Sequence, residues 1–154
     1  MKNAVAVTAA AVAVAFAAFL VPAAASPAAA AEQGTRNIDE SWGEGTATFV
    51  WQSPWSIKPI KLWAQDQKVD GHSVGVRVVS NSQKRGTEYF TMRKVTGGAG
   101  DTGSWETYLY FSDHDNINWV KLELCLLEQG KILECRGAAM NNPGGWDDGN
   151  ADPF

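Results

Sequence analysis

Cys125 and Cys135 are the only cysteines in the chain, and both lie in the stretch VKLELCLLEQGKILECRG (120–137). Two cysteines can hold a metal, exchange electrons or cross-link. A structural zinc site needs four ligands. The chain offers two Cys and two His, His72 and His114, with neither C-x2-C nor H-x3-H spacing. The C-x-x-C of a redox pair is also missing. Cross-linking remains. With Gln129-Gly130-Lys131 as the loop of a hairpin, Cys125 falls opposite Cys135, and Leu127 opposite Leu133 on the same face. Val120, Leu122, Leu124 and Leu126 then point the other way, toward a core. The hairpin is apolar on both faces near its tip. Either another segment covers the second face, or Leu127 and Leu133 contribute to a surface for a partner.

Other chemistries find little support. There is no G-x-S-x-G, and His72 and His114 sit in turn-like stretches, DGH and SDHD. Glu44, Glu88, Glu106, Glu123 and Glu134 could supply a glycosidase carboxylate pair, but no spacing singles out two of them. SDHDNIN (112–118) and WDDGNAD (146–152) have some oxygen ligands for calcium but lack the D-x-D-x-D-G ladder. The expectation is a protein without catalytic residues, metal or cofactor.

The seven tryptophans suggest binding instead. Trp51 and Trp105 fall in phase with apolar neighbours and read as core. Trp63 falls on the polar phase, beside Lys61 and Gln65, while Trp42, Trp55 and Trp146 lie among Gly and Pro. Exposed aromatics stack on sugar rings or anchor protein partners. Three readings stay open. A carbohydrate-binding module would use Trp55 and Trp63. A protein adaptor would use an arm, a strand edge or the back of the stapled hairpin. A protease inhibitor would present Lys84-Arg85-Gly86 from its turn.

These residues need a β scaffold. TATFVWQ (46–52), IKLWAQD (60–66), SVGVRVVSN (73–81), TEYFTMRKV (87–95), SWETYLYFS (104–112), NWVKLELCLLE (118–128) and KILECRGAA (131–139) are rich in β-branched and aromatic residues. Turn signals such as Asp70-Gly71 separate them. No 3.6-residue apolar period persists. The expected fold is all-β, a small antiparallel sandwich or barrel of about seven strands with one cross-strand disulfide, spanning 46–154. The polar stretch 32–45, EQGTRNIDESWGEG, reads as an extended N-terminal arm.

Before it, Lys2 is the only charge, followed by an Ala-rich apolar run and A-x-A patterns. This is the signature of a secretory signal peptide over 1–31, so the expected location is extracellular. Removing it takes Lys2 from the charge count and moves the formal net charge from −4 to −5. That balance argues against nucleic acid, which wants a basic stripe, and against a polybasic membrane patch.

An Ala-rich export signal, a polar arm ending in Trp-Gly-x-Gly, a small β-domain and a late ELCLLEQGKILECRG hairpin followed by NNPGGW make up the layout. It resembles small secreted proteins of Streptomyces and other actinomycetes, most of all the adaptor subunit of umbrella toxin particles. The resemblance implies a non-enzymatic adaptor that ties a trypsin-like lectin subunit to a repeat-bearing toxin subunit in an antibacterial particle. It further implies that the arm lies in the cleft of the lectin subunit. Arg36, Ile38 and Trp42 would be its anchors.

Overall fold

The computed structural model describes residues 31–144. The signal segment through residue 30, Trp146 and the acidic loop 146–152 lie outside the described residues. Among the described residues, nine strands follow one another without a helix: β1 (Glu32–Glu40), β2 (Gly43–Ser53), β3 (Ser56–Asp66), β4 (Ser73–Ser82), β5 (Gly86–Tyr89), β6 (Arg93–Val95), β7 (Thr102–Tyr110), β8 (Ile117–Glu128) and β9 (Lys131–Asn141). Accordingly, no helix among them is long and apolar enough to cross a membrane. One antiparallel sheet has the order β1-β2-β3-β7, and the other β5-β4-β8-β9, with β6 also paired to β4. The fold is the expected all-β architecture of two antiparallel sheets with one disulfide.

Alternation builds the core. Ala47, Phe49 and Trp51 of β2 and Ile60, Leu62 and Ala64 of β3 face inward. Val74, Val76 and Val78 of β4 meet them, with Val120, Leu122 and Leu124 of β8. Trp51 is buried and Trp105 packs against the same cluster, as their phase suggested. Successive strand residues point to opposite faces, so Lys61, Trp63 and Gln65 are left on the outside of the first sheet.

Two differences from the sequence reading concern strands. The stretch 87–95 is not one strand. Between the pairs Val79–Tyr89 and Val76–Arg93, four steps on one chain oppose three on β4. This bulge adds a residue. It turns Phe90 onto the core and lays Met92 over β4, where a Cβ on Gly75 would meet its Sδ at 2.8 Å.

The second difference is a correction. Segment 32–45 is extended but not a free arm: 32–40 is strand β1, paired with β2 over its whole length from Glu32–Trp51 to Glu40–Gly43. Ile38 and Trp42 are 8% and 6% exposed and belong to the core. The Arg36 guanidinium donates through Nε to the Ala139 carbonyl on β9 and through NH1 to the Thr35 carbonyl at 2.9 Å. The Trp-Gly-x-Gly motif is structural. Gly43 and Gly45 sit where the sheets approach, and a Cβ would meet Val74 Cγ2 at 2.8 Å and Leu124 Cδ1 at 3.0 Å respectively. The domain therefore begins at β1, not at residue 46.

Candidate functional site

The β8–β9 hairpin turns on Gln129 and Gly130, with φ of 48° and 82°. Two left-handed residues in a two-residue loop match the right-handed twist of the strands. Cys125 pairs with Cys135 and the sulfurs are bonded, S–S 2.02 Å. The register shifts immediately beyond. Leu126 opposes Glu134 but Leu127 opposes Ile132, so Leu133 is the extra residue of a bulge. Leu127 and Leu133 are thus not partners across the strands, because the loop has two residues rather than three.

Their environments also diverge. Leu127 is 1% exposed: it lies beside Met92 against Gly75, and a Cβ there would meet Leu127 Cδ1 at 3.0 Å. The second face of the hairpin is covered by the β5–β6 bulge, and Leu127 is not a partner surface. Leu133 is 49% exposed and its neighbour Ile132 47%. Two adjacent aliphatic side chains therefore project from a cross-linked tip, on a strand whose outer edge pairs with no strand among the described residues. Glu123, Cys125 and Cys135 place an oxygen and two sulfurs within 4.8 Å. The sulfurs are bonded to each other, however, and a metal ligand must be a thiolate.

Next to the hairpin, the outer face of the second sheet holds a tight polar ladder. Arg77 donates from Nε and NH2 to Glu123 Oε2 at 2.8 and 2.7 Å and lies 4.5 Å from the Tyr89 ring. Lys121 Nζ is 3.3 Å from Glu123 Oε1. Buried charges persist when paired this way.

The first sheet presents a different surface. Cross-strand register places Thr46, Trp63 and Ser104 in one row, and Thr48, Lys61 and Glu106 in the next. Together they line an open groove of about 460 Å³. Tyr108 and Tyr110, 61% and 56% exposed, continue the same face along β7. Trp55 does not join it. It sits at the β2–β3 turn, half-buried against the core, with its ring 4.6 Å from that of His114. Trp55 and Trp63 therefore do not form one stacking row.

The Lys84-Arg85-Gly86 turn is tied down. Arg85 NH2 is 3.2 Å from Asp113 Oδ1, and its guanidinium lies 4.5 Å from the Phe111 ring. Lys84 Nζ donates to the Asp113 carbonyl at 3.2 Å. An inhibitor presents its basic side chain free to enter a pocket, and these two exposed side chains are both held on Asp113. Asp115, fully buried, accepts from Ser82 Oγ at 2.7 Å and from the Lys84 backbone N–H at 2.9 Å. Two carboxylates of the SDHDNIN stretch, Asp113 and Asp115, thus already serve as acceptors. Asp115→Ala strands a buried hydroxyl and an amide, and is expected to cost about 1–3 kcal/mol. Urea denaturation measures it, and a wild-type midpoint would show that the turn does not depend on this carboxylate.

The two histidines sit in different surroundings. His114 stacks on Trp55. His72 has Nδ1 3.0 Å from Asp70 Oδ1 and Nε2 3.8 Å from Glu128. The His72 backbone N–H, and then its imidazole, hold the Asp70 carboxyl below its ordinary value. The contribution of this contact to the 66–73 turn is present at neutral pH and fades as pH falls through that lowered value. Set against protein-family models, curated proteins and solved structures, the chain matches none.

Proposed function

We propose that this chain is a non-enzymatic, exported adaptor that holds other extracellular proteins together, and that it docks through the stapled β8–β9 hairpin. The observation that carries this reading is the pair Ile132 and Leu133, about half exposed on a tip cross-linked by Cys125–Cys135. Exposed aliphatic pairs held rigid lose little entropy on binding. The unpaired edge of β9 adds backbone groups that a partner strand can complete. The disulfide and the Ala-rich leader both suit an oxidising compartment outside the cell.

The partners follow from the resemblance to umbrella toxin particles: a trypsin-like lectin subunit and a repeat-bearing toxin subunit, assembled for use against competing bacteria. The docking element changes. Ile38 and Trp42 belong to the core, so the N-terminal segment is not proposed as the cleft-binding arm. The acidic net charge complements basic partner surfaces and speeds encounter.

The test is affinity capture from native culture supernatant, with partners identified by mass spectrometry. The tagged wild-type chain is expected to retain secreted proteins of the two partner types. Ile132→Asp with Leu133→Asp, both at exposed positions, should lose at least one of them while keeping the wild-type melting temperature. Equal capture by both forms would remove the hairpin from the interface, and capture of neither partner type by the wild-type chain would sink the adaptor reading.

A further inference from the structure

We propose that the outer face of the first sheet is a binding groove for a neutral oligosaccharide, with Trp63 as its stacking platform. This inference rests on the groove alone and is independent of the adaptor reading. The groove is lined by Trp63 and the half-buried Trp105, by three hydroxyl side chains and by the charged pair Lys61 and Glu106. Its volume of about 460 Å³ falls in the range of small-molecule sites, about 300–1,000 Å³.

The chemistry of the lining selects the ligand. Trp63 is half-buried on a strand position where the alternation calls for a polar residue. Its ring is thus held at the surface, not in the core. The apolar face of a pyranose ring can lie on such a π-face, while its equatorial hydroxyls reach sideways. Those hydroxyls need donors and acceptors, and the groove has them unspent. Among the described residues, the side chains of Thr46, Ser104, Lys61 and Glu106 make no hydrogen bond or ion pair. Thr48 Oγ1 lies 3.3 Å from Thr35 Oγ1, which leaves it further capacity.

Charge decides between sugar classes. Lys61 and Glu106 are register partners on β3 and β7, so the two formal charges of the groove lie opposite each other and cancel. A sulfated or uronic chain would want a net positive floor, and a basic peptide a negative one. A neutral sugar accepts from Lys61 and donates to Glu106. Length decides between a monosaccharide and a chain. Ser104, beside Trp63, and Tyr108 are four residues apart on β7, about 14 Å along the strand. Tyr108 and Tyr110 are exposed on the same face, with Lys58 Nζ 5.5 Å from the Tyr108 ring. Successive aromatics spaced this way suit several linked rings.

Isothermal titration calorimetry of the full folded chain with cellohexaose, chitohexaose and xylohexaose provides the test. At least one is expected to bind, and Trp63→Ala should raise its Kd at least tenfold without moving the melting temperature. Ser104→Arg gives a second variant, because it fills the groove from an exposed position and leaves the core untouched; it too should weaken binding at least tenfold. Absence of binding to all three probes overturns the proposal. So does binding that survives both substitutions. Capture of a peptide or protein on this face that is lost in Trp63→Ala, with no glycan bound, assigns the groove to a protein ligand instead and equally overturns it.

Discussion

Replacing Trp42 by Ala lowers the free energy of unfolding by about 3–5 kcal/mol, the cost of deleting a buried aromatic ring from a packed site. A small domain has only about 5–15 kcal/mol in total, so this one substitution brings the protein close to unfolding. Trp42 occupies the two-residue turn between β1 and β2 and is 6% exposed, in one cluster with Ile38. Its carbonyl accepts the Gln67 N–H at 3.2 Å, which fixes the turn against the start of the next loop. The adjoining Gly43 lies against Val74 of the opposite sheet. The ring therefore packs into the core at a turn that lies against the opposite sheet. Deleting 32–42 goes further. It removes a whole edge strand, exposes the unpaired edge of β2 and frees β9 from Arg36, conditions that favour aggregation. Urea denaturation followed by tryptophan fluorescence measures both. A deletion variant with the wild-type midpoint would mean that 32–42 is a detachable arm, and would restore Arg36, Ile38 and Trp42 as candidates for a partner's cleft.

The sequence conceals β1 for a physical reason. Its inward positions are Gly34, Arg36, Ile38 and Glu40, only one of them a large apolar residue. The groups that make these positions useful come from far along the chain. Met140 lies where a Cβ on Gly34 would be, and the Ala139 carbonyl receives Arg36. Local alternation cannot register a strand whose inner face is completed a hundred residues away. Strand β7 is the opposite case. Trp105, Thr107, Leu109 and Phe111 share a face by simple alternation, and Leu109 and Phe111 are buried. Trp63 was also legible, because its neighbours Lys61 and Gln65 already placed it outside.

The hairpin shows where legibility stops within one element. Cys125 opposite Cys135 follows from a three-residue loop, and the structure reaches the same pairing with a two-residue loop plus the bulge at Leu133, so the staple could be read. The fate of Leu133 could not. A two-residue loop requires Gln129 in the left-handed region, a conformation Gly, Asn and Asp normally supply. Nothing in EQGK signals it. The covering of Leu127 depends on a bulge in another strand, at Met92, and Gly75 leaves the space for it. Which apolar residue of the tip is buried and which is exposed is thus a property of the packed sheet, not of the hairpin.

Removing the disulfide, as Cys125→Ala with Cys135→Ala, is expected to cost about 2–3 kcal/mol by the chain-entropy model for a loop this short. The bond closes a sequence separation of 10 residues, so most of that cost appears as freedom regained by the unfolded chain. A second part is local. Cys125 is fully buried between Gly75 and the tip of the hairpin, and removing its sulfur opens space beside Leu127. The two parts separate experimentally. Dithiothreitol cuts the bond but leaves both sulfurs in place, so reduction should lower the melting temperature by less than the double substitution does. An unchanged melting temperature on reduction would show that the bond contributes nothing to stability. The docking proposal adds a further consequence. Ile132 and Leu133 lie between the turn and Cys135, so losing the bond lets the tip fray while the rest of the sheet holds. Partner capture should then weaken at temperatures well below the melting transition. If capture persists undiminished in the folded, reduced protein, the staple serves the fold and not the interface.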